Sequence, residues 1–215
     1  MLLAGMQRCL AELYGLELDY HVYDFLVTDR ALAGSLGASG DDVDEELLIL
    51  EEDDAASVSL FLEQALVDRL ECDNPLENLN AGNLADFLVA FEGVSHFTYF
   101  AYKASRDRSV TRLELELQAE VDKFVAAATL LRDQGERVPA GLHHWLFSLP
   151  RLRDGLDAES EERYTRANHF ASRYCRSLLP SVRSDRGVQD VRDELRHFYR
   201  LPRELKMRHI EAGPR

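Results

Sequence analysis

The stretch Asn83-Leu84-Ala85-Asp86-Phe87-Leu88-Val89-Ala90-Phe91-Glu92-Gly93-Val94-Ser95-His96-Phe97-Thr98-Tyr99-Phe100-Ala101-Tyr102 decides how the rest of the chain is read. At a helical period, Leu84, Phe87, Leu88, Phe91, Val94, Phe97 and Phe100 cover most of the circumference instead of one stripe. A helix that is apolar nearly all round belongs inside a fold, so 83–105 is expected as a buried helix. Glu92 and His96 lie four apart on one face, and Tyr99 and Lys103 continue that face over the next two turns. Polar groups in such a place need partners.

The following segment, 110–134, supplies candidates. Leu113, Leu117, Val121, Phe124, Ala128 and Leu131 form its core stripe, with Glu116, Glu120 and Lys123 along one edge. A short connection around Asp107 makes the two helices antiparallel neighbours. Further helices are expected over 140–149, 158–179 and 187–200, with a short one near 202–210. Gly135, Pro139, Pro150, Pro180 and Pro202 mark the breaks.

Towards the N-terminus the pattern changes. Leu2, Leu3, Met6, Leu10 and Leu13 space an amphipathic helix over 1–14 that ends near Gly15. Residues 16–28 mix aromatic and β-branched residues with acids and are read as strand or irregular, followed by a helical turn from Asp29 to Ala33. Gly34 to Gly40 is a loop by composition. The runs 46–52 and 57–62, separated by Asp53-Asp54-Ala55-Ala56, are the clearest β-hairpin signal. A helix over 63–72 then stops at Asp73-Asn74-Pro75. The expected fold class is α+β, predominantly α-helical. A small N-terminal lobe over 1–75, with its hairpin at 46–62, packs on a multi-helix domain over 76–215, or the two form one continuous domain.

Of the 215 residues, 46% are hydrophobic and 30% charged, the composition of a folded globular chain. The longest apolar run, Phe87 to Phe91, is far short of a membrane span. The first residues lack the basic start of a secretory leader, so the cytoplasm is the expected location. Cys9, Cys72 and Cys175 are too scattered for a disulfide framework or a cysteine-rich zinc site and are expected as small buried hydrophobes. The net charge of −14 is uneven: residues 1–150 carry 28 acidic and 10 basic groups, residues 151–215 carry 11 and 15. A basic tail on an acidic body suggests docking by charge complementarity within the chain, ahead of a phosphate or nucleic-acid surface.

Four residues make the strongest candidate site. Glu92, His96, Glu116 and Glu120 converge if the two long helices pair, and carboxylates with an imidazole across a helix pair can ligate a transition metal. The Glu-to-His interval is four here, whereas di-iron bundles use three, and salt bridges to Lys123 or a Glu92–His96 hydrogen bond would satisfy the same groups structurally; this second reading is preferred. Glu194 and His197 have the three-residue spacing on an otherwise ordinary amphipathic helix.

Other constellations are weaker. Ser95 and His96 are adjacent and diverge by about 100° on a helix, which excludes a nucleophile–base pair. His143 and His144 diverge in the same way. The Gly34–Gly40 loop lacks the lysine and serine of a phosphate-binding loop and is followed by acids. Arg163, Arg166, Arg173 and Arg176 form a basic face as a candidate partner-binding surface. The nearby Glu159, Glu161 and Glu162, together with the overall charge, count against nucleic acid.

With no catalytic motif passing a geometric test, the expected function is a non-enzymatic protein-interaction or adaptor module, its acidic surface selecting basic partners. The alternatives are a metal-dependent enzyme with its site between 83–105 and 110–134, and phosphate or nucleic-acid binding by the arginine-bearing C-terminal third.

Overall fold

The computed structural model describes residues 1–39, 43–52, 55–148, 157–184 and 186–213. Within them lie helices α1 (Leu2–Tyr14), α2 (Arg30–Ser35), α3 (Gln64–Cys72), α4 (Leu84–Ala104), α5 (Arg112–Asp133), α6 (Leu142–Phe147), α7 (Ala158–Val182), α8 (Arg192–Arg200) and α9 (Arg203–Ala212). The strands are β1 (Leu26–Val27), β2 (Glu45–Glu52) and β3 (Ala55–Leu62). The architecture is α+β and predominantly helical, as the periodicities imply. No helix among the described residues is long and apolar enough to cross a membrane.

Helices α4 and α5 run antiparallel, a relation visible in their cross-helix pairs. Glu92 is matched with Lys123, His96 with Glu116, and Lys103 with Glu114, so position numbers rise on one helix as they fall on the other. Thr111 caps the start of α5 by accepting from the Glu114 N–H at 3.2 Å. Helix α1 packs on α4 and α8, and α7 packs on α5. Phe87, Phe91, Phe97 and Phe124 are wholly or almost wholly buried, each contributing roughly 1.5–3 kcal/mol of apolar burial. One apolar cluster takes in Met6, Leu10 and Leu66 as well as Phe91, Tyr174 and Phe198, so segments on both sides of residue 75 share a core.

The sheet has the order β1-β3-β2. Strands β2 and β3 pair antiparallel from Glu45↔Leu62 to Glu52↔Ala55, and β1 pairs parallel with β3 at Leu26↔Leu60 and Val27↔Phe61. The hairpin tip at 53–54 lies outside the described residues. Segment 16–28 thus contains a two-residue strand preceded by a 3-10 turn, Val22–Asp24.

Three expectations are corrected. Pro180 does not stop α7, which continues to Val182. Pro180 costs the helix one i→i−4 bond and crowds the Arg176 carbonyl, and the buried Leu178 and Val182 on either side of it hold the end of the helix in place against that cost. The segment expected as one helix over 187–200 is a 3-10 turn, Gly187–Val191, followed by α8; at its start Gly187 takes a φ of +58°, which keeps that residue out of a regular helix. Of the cysteines only Cys175 is buried; Cys9 is half-buried and Cys72, at the end of α3, is exposed.

The lysines are the least expected feature. Lys103, Lys123 and Lys206, the only three in the chain, are 2%, 9% and 0% exposed. Lys206 enters the core from α9 with its ammonium 4.6 Å from the ring centres of both Tyr99 and Phe198, and it donates to Gln118 Oε1. Gln118 Nε2 donates onward to Asp122 Oδ1 at 2.7 Å, and Ser95 Oγ to Asp122 Oδ2 at 2.6 Å; the Tyr14 hydroxyl also donates to Asp122. Burial raises the Asp122 carboxyl to about 6 against these hydrogen bonds. Lys103 sits 3.0 Å from Glu114 Oε1, which also accepts from the Tyr99 hydroxyl at 2.6 Å.

Burial pulls the Lys206 ammonium down to about 7 from the 10.5 of an exposed lysine, with Glu114 and Asp122 opposing that shift and Lys103 reinforcing it. Between those values the unfolded chain holds a proton that the folded chain has released, so stability rises with pH across the window. Denaturant unfolding from about pH 7 to about 9.5 is expected to show a Lys206 contribution on the order of 1 kcal/mol per pH unit. The variant Lys206→Met should lose that rise; equal slopes in both proteins would assign it to another group.

Candidate metal centre

Three elements meet at a second polar cluster. Glu92 and His96 come from α4, Glu116, Glu120 and Lys123 from α5, and Glu45 from the first position of β2. What brings β2 so close to α4 is Gly93: a Cβ there would lie 2.7 Å from Glu45 Cγ and 2.9 Å from Leu60 Cδ1. The missing side chain lets the sheet sit directly on the helix and places Glu45 beside His96.

The imidazole is held between two carboxylates. His96 Nδ1 lies 3.3 Å from Glu45 Oε1, and Nε2 lies 3.5 Å from Glu116 Oε2. Nε2 is buried and makes no hydrogen bond among the described residues. One ligand atom each from Glu92, His96 and Glu116 lie within 4.8 Å of one another. Lys123 Nζ donates to Glu92 Oε2 at 2.7 Å and to Glu120 Oε1 at 2.8 Å. The Glu92 and Glu120 side chains are 22% and 21% exposed, against 8% for His96, so solvent reaches one edge of the cluster.

The electrostatics follow from burying more carboxylates than cations. Burial raises Glu45 and Glu120, with His96 and Lys123 respectively working against the shift. Burial alone would lower His96, but the Glu116 and Glu45 carboxylates outweigh it and hold the imidazole well above its ordinary value. Lys123 is raised: burial is overcome by Glu120 and Glu92. A metal ion entering here would displace the imidazole proton from Nε2.

The structure brings together all four residues singled out from the sequence and adds Glu45. Glu45 falls one position before the 46–52 run, among the acids that follow the Gly34–Gly40 loop. Its signal was parity, because it shares a strand face with Leu47, which packs on the main core. Ser95 turns away from His96 to Asp122. His143 is buried between Phe124 and Phe147 with Nε2 2.8 Å from the Ser172 carbonyl oxygen, and His144 pairs with Ser148. Glu194 is 2.6 Å from His209 Nε2 and accepts from the Tyr174 hydroxyl at 3.0 Å.

The arginine face is partly used inside the chain. Arg173 donates to the Glu211 carbonyl of α9 at 3.1 Å, and Arg166 lies 4.0 Å from Met207 Sδ. Arg163 donates to Ser160 Oγ at 3.1 Å, and Arg176 is exposed. The chain matches no family model, and no curated protein or solved structure is significantly similar to it.

Because Gly93 sets the approach of β2, Gly93→Ala should force Glu45 and Leu60 away from α4. The expected loss is about 1–3 kcal/mol in chemical denaturation, the range for overpacking a close contact. Faster amide exchange in the hairpin should accompany it, and unchanged exchange would place the strain elsewhere.

Proposed function

We propose that the protein binds a divalent transition-metal ion through His96 Nε2, Glu92 and Glu116, with Glu45 orienting the imidazole from behind. The observation that carries this reading is His96 Nε2 itself: a buried nitrogen 3.5 Å from Glu116 Oε2 with no hydrogen bond among the described residues, in a cluster where ligand atoms of Glu92, His96 and Glu116 lie within 4.8 Å of one another. Ligand atoms about 2.1 Å from one ion are separated by up to about 4.2 Å, so 4.8 Å closes with small side-chain movements. A carboxylate on the far nitrogen of a ligating histidine fixes its tautomer and raises its basicity, and Glu45 stands in that position.

The donor set of one imidazole and two carboxylates suits zinc, manganese, iron, cobalt or nickel. Three protein ligands leave room for water or a substrate oxygen, and a bound water acidified by the ion is the nucleophile of metal-dependent hydrolysis or hydration. The exposed edge at Glu92 and Glu120 is where a substrate would enter. Lys123 holds Glu92 from the other side, so it competes with the ion for that carboxylate.

Cobalt(II) titration of chelator-treated protein tests the reading through the visible absorption of the bound ion. One equivalent should bind. His96→Ala should abolish binding, Glu45→Gln should weaken it roughly 10–100-fold as the loss of an orienting partner does, and Lys123→Met should tighten it. Folded protein that takes up no ion, or takes it up equally well without His96, would leave the cluster as an internal network of ion pairs.

A second reading, interaction with another protein, is supported by β2. It is an edge strand of eight residues whose sequence, Glu45-Glu46-Leu47-Leu48-Ile49-Leu50-Glu51-Glu52, is apolar in the middle and acidic at both ends, with Leu50 43% exposed. An antiparallel copy of the same strand would set glutamate opposite glutamate, whereas an extended segment with an apolar centre and basic ends would fit. A fluorescent peptide of that pattern should bind the intact chain, and Leu50→Pro should prevent it; equal binding by an acid-ended peptide would remove this reading.

A further inference from the structure

Helix α9 closes the aromatic end of the α4–α5 seam, yet of its ten residues only Lys206 and Ile210 are buried. A helix this short does not persist alone in water, so its hold on the body decides whether it stays formed. The chain enters it from α8 through Leu201 and Pro202, both extended, and no side chain caps its first turn among the described residues. Its other attachments lie at the rim: Arg173 donates to the Glu211 carbonyl oxygen at 3.1 Å, and His209 Nε2 stands 2.6 Å from Glu194 Oε1.

The deep anchor, Lys206, is a cation without a counter-ion. Its ammonium has three protons to donate, and its acceptor among the described residues is the neutral amide oxygen of Gln118. The two carboxylates of α5 that face it are engaged elsewhere, Glu114 by Lys103 and Tyr99, Asp122 by Tyr14, Ser95 and Gln118. From α4, Lys103 faces it with the same sign of charge. Rings of Tyr99, Phe198 and Tyr199 lie 4.6, 4.6 and 5.8 Å from the ammonium. Behind them Tyr14 of α1 stacks on Tyr199, and Tyr174 of α7 on Phe198. Burial and neighbouring carboxylates raise the four tyrosines, which stay neutral. In such surroundings the uncharged amine is the favoured form.

We propose that α9 is a latch that opens separately from the rest of the fold, loosest in mildly acid solution and firmer as pH rises through neutrality, with Lys206 as the group that sets its hold. Opening returns Lys206 to water, where it keeps its proton up to about 10.5, whereas the closed form releases that proton above about 7. Between those values each pH unit favours the closed form by close to tenfold. Below about 7 both forms are charged and the latch stays at its weakest. The Glu194–His209 contact works in the opposite direction, since it is an ion pair only while the imidazole is protonated. Opening uncovers the Tyr99, Phe198 and Tyr199 rings, which the closed form buries completely.

Amide exchange of the full chain from pH 6 to 8.5, corrected for intrinsic rates, tests this. Amides of α9 should be less protected than those of α5 at every pH, and their protection should rise roughly thirtyfold across the range. Lys206→Met retains His209 and Glu194, so its difference from the parent isolates Lys206, and the variant should lose the rise. His209→Gln removes the opposing contact and keeps Lys206; it should show the rise in full, and it decides the matter where Lys206→Met fails to fold. Protection of α9 equal to that of α5, a level profile in both the parent and His209→Gln, or an undiminished rise in Lys206→Met would each overturn the proposal.

Discussion

The seam between α4 and α5 has to carry charge through an apolar core, and the rest of the molecule is arranged to satisfy it. Helix α4 is too apolar to lie at a surface, yet it takes Ser95, His96, Tyr99 and Lys103 inside with it. Helix α5 answers with Glu114, Glu116, Gln118, Asp122 and Lys123, all buried. Unpaired, such groups would each cost several kcal/mol, so elements distant in sequence are recruited as partners. Strand β2 supplies Glu45, α1 supplies Tyr14, the residue after α8 supplies the Leu201 carbonyl to Lys103, and α9 supplies Lys206.

The two ends of the seam are finished differently. Around Lys206 the closure is aromatic: Tyr99, Phe198 and Tyr199 surround the ammonium, with Tyr14 stacked on Tyr199 at a centroid distance of 4.0 Å. That end is sealed, and its polar groups serve cohesion. Around His96 the closure is ionic and incomplete, with Glu92 and Glu120 reaching solvent and one nitrogen left without a hydrogen bond. Of the two ends, this is the one whose polar groups reach solvent among the described residues, which is why a ligand reading attaches to that cluster and not to the more deeply buried one.

Local features were legible in the sequence and long-range ones were not. The all-round apolar pattern of 83–105 and the stripe of 110–134 identified the central helix pair, and the pairing followed from a short connection. The four-residue interval between Glu92 and His96 is enough to place them on one face, and the place of Glu116 and Glu120 along one edge of the α5 stripe to bring them opposite. Glu45 could not be found in this way, because its role depends on a hairpin crossing α4 at Gly93, about fifty positions away in the chain. The lysine count was visible, but Lys206 sits on a short, mostly polar helix whose pattern gives no hint that its cationic side chain points inward. Pro180 does not end α7 because the buried Leu178 and Val182 beside it outweigh the one helical bond it removes.

The burial of every lysine has a consequence for the chemistry of the surface. Acylating reagents, amine cross-linkers and enzymes that modify lysine find arginine-rich but lysine-free terrain on the folded protein. Each ε-amine becomes reachable only when its own part of the seam opens: Lys123 with the carboxylate cluster, Lys103 with the junction after α8, Lys206 with the departure of α9. The three amines are therefore a built-in set of reporters, in which the order of labelling reads out the order in which the fold comes apart.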